Sequence, residues 1–260
     1  MAGELLSQIR GGFTGILFDF GDTLVALQPS REEVFMLCAS SIGLRLRLAD
    51  VKTAYTIVDF NNKYSSIKIK DAVEKAAFYL DYNEKLCRTI GISSHFKRLQ
   101  PVLVEQFNQK RHWSAVNGVK GVIGNLHRLG LPLGIVANWD KNLRMITDRL
   151  GLTSYFKVII SSEEAGVEKP NPEILDIALR GMSLEKSRKN VLYVGNEYES
   201  DVLCATMAGV IPILIDRRNL YRSCDCIRFK SLTHFYRAFD FRHALLQSGY
   251  RSKSNQRRLL

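Results

Sequence analysis

Five short apolar runs, each giving way to polar residues or glycine, punctuate the chain. They are "TGILFDF" (14–20), "LPLGIVAN" (131–138), "FKVIISS" (156–162), "NVLYVGN" (190–196) and "IPILID" (211–216). Continuous apolar runs of this length predict strands buried on both faces, as in a parallel sheet. Between the later runs lie stretches with helical spacing, "KNLRMITDRLGL", "PEILDIALRGM" and "SDVLCATMAGV". Gly151 and Gly209 stand where helix C-terminal glycines belong. This alternation predicts an α/β fold with a doubly wound parallel (Rossmann-like) core, whose chemistry gathers at the carboxyl ends of the strands.

The interval between the first two runs is too long for one crossover helix. Residues 28–112 carry helical periodicity instead, in "EEVFMLCASSIGL", "ADVKTAYTIVDFNNKY", "DAVEKAAFYLDYNEKLCRTIGI" and "FKRLQPVLVEQFNQKRHW". They predict an inserted helical cap of about four helices over the sheet's active edge, with "NNKYSSIKIK" as its internal loop. The expected organisation is a core of residues 1–27 and 113–240, a cap of 28–112 and a tail of 241–260.

Composition adds little to this picture. Of 260 residues, 46% are hydrophobic and 24% charged, an ordinary balance for a soluble globular chain. No apolar run reaches the ~18 residues of a membrane span, and "MAGELLSQIRGGF" lacks the apolar region of a signal peptide. No membrane span and a cytoplasmic location are the expectations. Five widely spaced cysteines imply no disulfide framework. "CDC" at 224–226 matches neither C-x-x-C nor a zinc pair and reads as two free thiols at the end of a strand. The net charge of +11 is uneven, with eleven Lys or Arg against three acids from Asp216 onward. The expectation there is a solvated basic tail able to make weak, nonspecific contact with a polyanion.

Candidate chemistry sits at the predicted strand ends. Asp19 closes the first strand and Asn138 the second, Lys169 follows the third, and Asn196 and Asp201 follow the fourth. On a parallel sheet these ends converge. Carboxylates, amides and an ammonium gathered there form a site for handling anions.

The motifs "FDFGDTLV", "GIVANWD", "GVEKPNPEIL" and "VGNEYESDVLCATMAG" resemble those of the haloacid dehalogenase (HAD) superfamily, with a helical cap inserted after the first motif. The resemblance covers nearly all of residues 14–235. It implies that Asp19 is the nucleophile, forming a covalent intermediate that water breaks. It implies that Lys169 steadies Asp19 and the transferring anion, and that Asn138 helps hold the phosphoryl oxygens. A magnesium ion would be held by Asp19, the Gly21 backbone carbonyl, Asn196 and Asp201, and the partner would be a small phosphorylated substrate.

Three positions depart from the pattern of the phosphatases it resembles. Gly21 stands where they have an Asp that protonates the leaving alkoxide, a role worth about 10²–10⁴-fold. Ala137 replaces a Ser or Thr, a loss on the order of 10–10³-fold by analogy with oxyanion donors. Asn196 replaces an acid, removing one negative charge from the metal ligands while keeping an amide oxygen that magnesium accepts. Three readings follow. The first is a weak or specialised magnesium-assisted phosphate-ester hydrolase. The second is a catalytically inactive binding or regulatory protein of the same fold. The third is a 2-haloacid dehalogenase, whose halide needs no proton to leave and whose cap arginine would come from Arg31, Arg45 or Arg47.

Overall fold

The first strand, β1 (Gly15–Phe18), lies inside a six-stranded sheet of order β5-β4-β1-β6-β7-β8, and every pairing in it is parallel. The computed structural model describes residues 12–63, 72–108, 112–221 and 223–239. The other strands of the sheet are β4 (Leu133–Ala137), β5 (Val158–Ser161), β6 (Val191–Gly195), β7 (Ile211–Ile215) and β8 (Ile227–Phe229). From β1 the chain builds outward through β4 to β5, then returns to lay β6 on the other side of β1. That reversal is a topological switch point, where the carboxyl ends of parallel strands leave a crevice for ligands.

The strands are apolar throughout because both faces are covered. In β1, Ile16 and Phe18 join one buried cluster while Leu17 joins another, following the period-2 alternation of a strand. The first cluster takes Val122 and Leu126 from Val119–Arg128 and Leu232 and Phe235 from Leu232–Ala238. The second takes Ile174 and Leu179 from Glu173–Met182 and Ala205 from Leu203–Met207.

The contacts divide the chain into two units, at Ala26/Leu27 and at His112/Trp113. The unit from Leu27 to His112 is helical, with α1 (Arg31–Ser41), α2 (Leu48–Lys63), α3 (Ala72–Ile90) and α4 (Phe96–Asn108). Phe35, Tyr55, Leu86 and Leu103 contribute to its own core. Ser30 caps α1 in a capping box with Glu33. Arg31 is bound by Asp59 and lies 4.5 Å over the Tyr55 ring, while the Tyr82 hydroxyl donates to Asp59 at 2.6 Å.

Two local expectations are corrected. The helical period read through Trp113 ends at Asn108, and His112–Ala115 form a strand, β3, paired with β2 (Val25–Gln28). A strand partner distant in sequence overrides local propensity here. The thiols of Cys224 and Cys226 precede a strand, the unforeseen β8, rather than closing one. The basic tail and most of the "NNKYSSIKIK" loop lie outside the described residues. Among the described residues, no helix is long and apolar enough to cross a membrane.

Two basic residues of the C-terminal region are committed to the fold. The Arg217 guanidinium donates to the Thr23 carbonyl at 3.0 Å, and Arg228 donates to Asp216 at 2.8 Å. Asp216, just past β7, also accepts the backbone N–H groups of Leu220 and Tyr221 at 2.8 and 3.0 Å. Burial alone would raise its pKa, but the two N–H groups and Arg228 outweigh burial and hold it below the ordinary carboxylate value. A depressed folded value means that the charge stabilises the fold above the unfolded pKa of ~3.9 and that this contribution is lost as the pH falls through the folded value. We expect Asp216→Asn to lower the urea midpoint at neutral pH, and the gap from wild type to narrow below about pH 4. Urea titrations across that range check both parts.

Candidate active site

The residues read as chemical converge where β1, β4 and β6 end. Asp19 follows β1 directly and its N–H donates to the Val194 carbonyl at 2.9 Å, which fixes the carboxylate over the switch point. Lys169, only 4% exposed, brings its ammonium between two carboxylates. Its three N–H bonds have three acceptors: Asp19 Oδ1 at 2.7 Å, Asp201 Oδ1 at 2.6 Å and the Tyr193 hydroxyl at 2.9 Å. A buried ammonium with any of these missing would carry a large desolvation cost.

Each of these groups is held from behind. The Asn138 side chain accepts the Lys169 N–H at 2.7 Å and donates to the Lys169 carbonyl at 2.9 Å, pinning that backbone from the end of β4. Asp201 Oδ2 accepts the N–H groups of Asn196 and Glu197, both at 2.9 Å. Gly195 permits that approach, because a Cβ there would fall 2.3 Å from the Asp201 carboxyl carbon. Tyr198–Val202 form a π-helical turn that delivers Asp201 back towards the strand end.

The charges explain the protonation states. Burial pushes the Asp19 carboxyl up, Lys169 opposes the rise and Asp201 reinforces it, leaving it at about 6. Burial alone would lower the Lys169 pKa, but Asp19 and Asp201 outweigh it and raise the value well above the usual one. Lys169 is therefore an ammonium, a fixed positive charge beside Asp19.

The positions that depart from the phosphatase pattern have structural counterparts. Beside Gly21, the Trp139 ring stands 3.1 Å from where a Cβ would be, so an aromatic edge crowds the place of the missing acid. Trp139 is itself packed edge-on against Phe20, with centroids 5.3 Å apart, and against Trp113 at 4.7 Å. Asp22, the neighbouring carboxylate, is exposed and sits in a left-handed conformation at φ 55. Ala137 is buried in the core cluster at the end of β4.

Asn196 has two roles open to it. The inner atom of its amide lies 3.0 Å from the Thr23 hydroxyl, 3.0 Å from the Gly21 carbonyl and 3.1 Å from Asp19 Oδ2. Turned nitrogen-inward, the amide donates two hydrogens among these three oxygens and closes the site without a cation. Turned oxygen-inward, it accepts from Thr23 and completes a set of three oxygens with Asp19 and Gly21. The separations from Asn196 to the Gly21 and Asp19 oxygens, 3.0 and 3.1 Å, match the edges of an octahedron with metal–oxygen bonds of ~2.1 Å, and oxygen donors suit magnesium in type. The Asp201 oxygens are engaged by the Lys169 ammonium and by the N–H groups of Asn196 and Glu197.

Sequence reasoning missed two members of the constellation. Tyr193 was read as one more apolar strand residue, although a hydroxyl within "NVLYVGN" was the available signal. Thr23 was quoted with the first motif but given no role. Among the proposed dehalogenase arginines, Arg31 and Arg47 are engaged by Asp59 and Asp50.

A parallel α/β sheet with an aspartate, a lysine and a second aspartate joined at its switch point defines a class of hydrolase-like folds. The chain belongs to the haloacid dehalogenase-like hydrolase family, whose pattern it matches over residues 16–215. It is 27% identical over 209 residues to haloacid dehalogenase-like hydrolase domain-containing protein 3 of Danio rerio, covering 78% of this chain and 85% of that protein. It is 26% identical over 220 residues to a glyceraldehyde 3-phosphate phosphatase of Methanopyrus kandleri, covering 81% and 86%. The fold is shared with the HAD-hydrolase YfnB of Bacillus subtilis, solved with magnesium bound. That match has 19% identity and a TM-score of 0.54, over 87% of this chain and 98% of the other.

Tyr193 offers a test of the network that does not depend on activity. Its hydroxyl accepts from Lys169 and donates to the Val136 carbonyl at 3.0 Å. Tyr193→Phe leaves a buried ammonium and a buried carbonyl each one partner short, so we expect a loss of about 1–3 kcal/mol in urea unfolding.

Proposed function

We propose that the protein is an aspartate-nucleophile hydrolase of small phosphate esters, specialised for substrates whose leaving group departs without a proton. The observation that carries this reading is the intact Asp19–Lys169–Asp201 cluster at the switch point, together with the Trp139 edge beside Gly21.

In the first step, an Asp19 oxygen bonds to phosphorus while the bond from phosphorus to the leaving oxygen breaks, and the electron pair leaves on that oxygen. Lys169 holds Asp19 in place and offsets its charge as the phosphoryl group arrives. No carboxyl stands at position 21 to protonate the departing oxygen, so a phenolate or another weakly basic group leaves and a simple alkoxide does not. Water then attacks phosphorus, releasing phosphate and restoring the Asp19 carboxylate. That half-reaction lacks a positioned base for the same reason, so the phosphorylated Asp19 accumulates. Asn138 fixes the Lys169 backbone throughout, and its backbone N–H would help hold a phosphoryl oxygen. Asp19, the Gly21 carbonyl and Asn196 would hold magnesium, with Asp201 orienting Lys169 and the Asn196 backbone behind them. Magnesium supplies positive charge against the developing phosphoryl charge when bound.

The expected kinetics are specific. With magnesium, an aryl phosphate should release a burst of phenolate approaching one equivalent of protein, followed by slow turnover, while alkyl phosphates stay at least about 10²-fold slower. Asp19→Asn should abolish the burst. Stopped-flow absorbance of the phenolate measures all three, and a wild type as inert as Asp19→Asn would instead favour a binding or regulatory role.

Restoring the acid requires room as well as a carboxyl. Gly21→Asp alone should give little gain, whereas Gly21→Asp with Trp139→Ala should raise alkyl-phosphate turnover by at least about tenfold. Steady-state rates of the two variants decide the point.

Asn196→Asp should bind magnesium roughly tenfold more tightly, because it adds a charge to the ligand set. The same variant should lose stability in chelator, where two carboxylates face each other without an amide donor. Thermal midpoints with magnesium and with chelator read both effects apart from turnover.

A further inference from the structure

The thiols of Cys224 and Cys226 lie 3.1 Å apart, well inside the separation at which two uncharged sulfurs ordinarily rest. They are placed together by a loop that is anchored at both ends. Asp216 receives the N–H groups of Leu220 and Tyr221 and the guanidinium of Arg228, and the Cys224 N–H donates to the Tyr221 carbonyl at 3.3 Å. The two sulfurs differ in access. Cys224 is partly exposed, whereas Cys226 is only 7% exposed. The remaining cysteines, Cys38, Cys87 and Cys204, are all buried.

The pair also touches the candidate active site from behind. Cys226 shares an apolar cluster with Val202 and Leu214, and Tyr198, Tyr221 and Cys224 pack against it. The rings of Tyr198 and Tyr221 stack with centroids 5.9 Å apart, and the Tyr221 hydroxyl donates to Glu199 at 3.3 Å. Tyr198 and Val202 are the two ends of the π-helical turn that carries Asp201.

We propose that Cys224 and Cys226 form a reversible dithiol–disulfide couple, oxidised by exchange with a low-molecular-weight disulfide and sensed by the turn that holds Asp201. Cys224, as a thiolate, attacks one sulfur of the incoming disulfide and expels the first small thiol, leaving a mixed disulfide. Cys226, after giving its proton to solvent, attacks the Cys224 sulfur and expels the second. The two protein thiols are oxidised to one disulfide and the small disulfide is reduced to two thiols, so electrons and protons balance. Only about 1 Å of approach separates the present arrangement from a sulfur–sulfur bond of ~2.05 Å. That movement occurs beneath Tyr198 and Val202. The couple does not depend on Asp19 being a working nucleophile.

The full chain is treated with oxidised glutathione and followed by mass spectrometry of the peptides. The wild type should lose two hydrogens in the segment holding both cysteines, carry no lasting glutathione, and recover them with dithiothreitol. Cys226→Ser should stop at a glutathione adduct on Cys224, and Cys224→Ser should form no disulfide in this segment. Hydrogen exchange over residues 196–202 should change severalfold between the two states of the wild type. An unchanged mass, or a glutathione adduct that persists in the folded wild type, overturns the couple. A disulfide that leaves exchange over 196–202 unaltered overturns its coupling to the turn.

Discussion

A single buried ammonium organises the candidate site. Lys169 is almost wholly removed from water, and that position is tolerable only because all three of its N–H bonds end on oxygen. The requirement spreads outward. Asp19 must come off β1, Asp201 must return from the turn after β6, and Tyr193 must point inward from β6 itself. Asn138 must then hold the Lys169 backbone, and Gly195 must lack a side chain so that Asp201 can close on the N–H groups of Asn196 and Glu197. Three strands are committed to one cation. Removing one partner exposes the remaining charge to an uncompensated environment, whereas the complete set is self-consistent.

The departures from the phosphatase pattern fall outside this set. Gly21, Ala137 and Asn196 do not touch the ammonium, and none of the groups that do has been replaced. The ammonium keeps its three oxygen partners, while positions 21 and 137 bring neither a carboxyl nor a hydroxyl.

The sheet was legible because its strands are covered on both faces, so apolar runs such as "LPLGIVAN" carried the signal without help from alternation. The long interval after β1 signalled the inserted helices, whereas the reversal of strand order about β1 had no local signal. Asp19, Lys169 and Asp201 were legible through motif spacing. β3 and β8 were not, since His112–Ala115 and Ile227–Phe229 are short and gain strand geometry only from partners far along the chain. Tyr193 was hidden by its setting, because an aromatic in a buried strand looks like packing until its hydroxyl is seen between Lys169 and Val136. The Trp139 edge beside Gly21 was equally hidden. No spacing rule links two residues over a hundred positions apart, and only the close approach of β1 and β4 puts them together.

Gly21 and Trp139 are best understood as one feature. Gly21 brings no side chain to the end of β1, and the space a Cβ would take is bordered by the Trp139 ring. The Trp139 edge lies against that space, braced by Phe20 and Trp113, and replaces a proton-bearing side chain with an apolar aromatic wall. An indole edge has no carboxyl proton to give, so it does not take over the work of an acid at that position. Turned nitrogen-inward, the Asn196 amide donates two hydrogens among the oxygens of Asp19, Gly21 and Thr23 and holds them together without a cation. Gly21, Trp139 and Asn196 thus meet at one side of Asp19, while Lys169 holds the carboxylate from another.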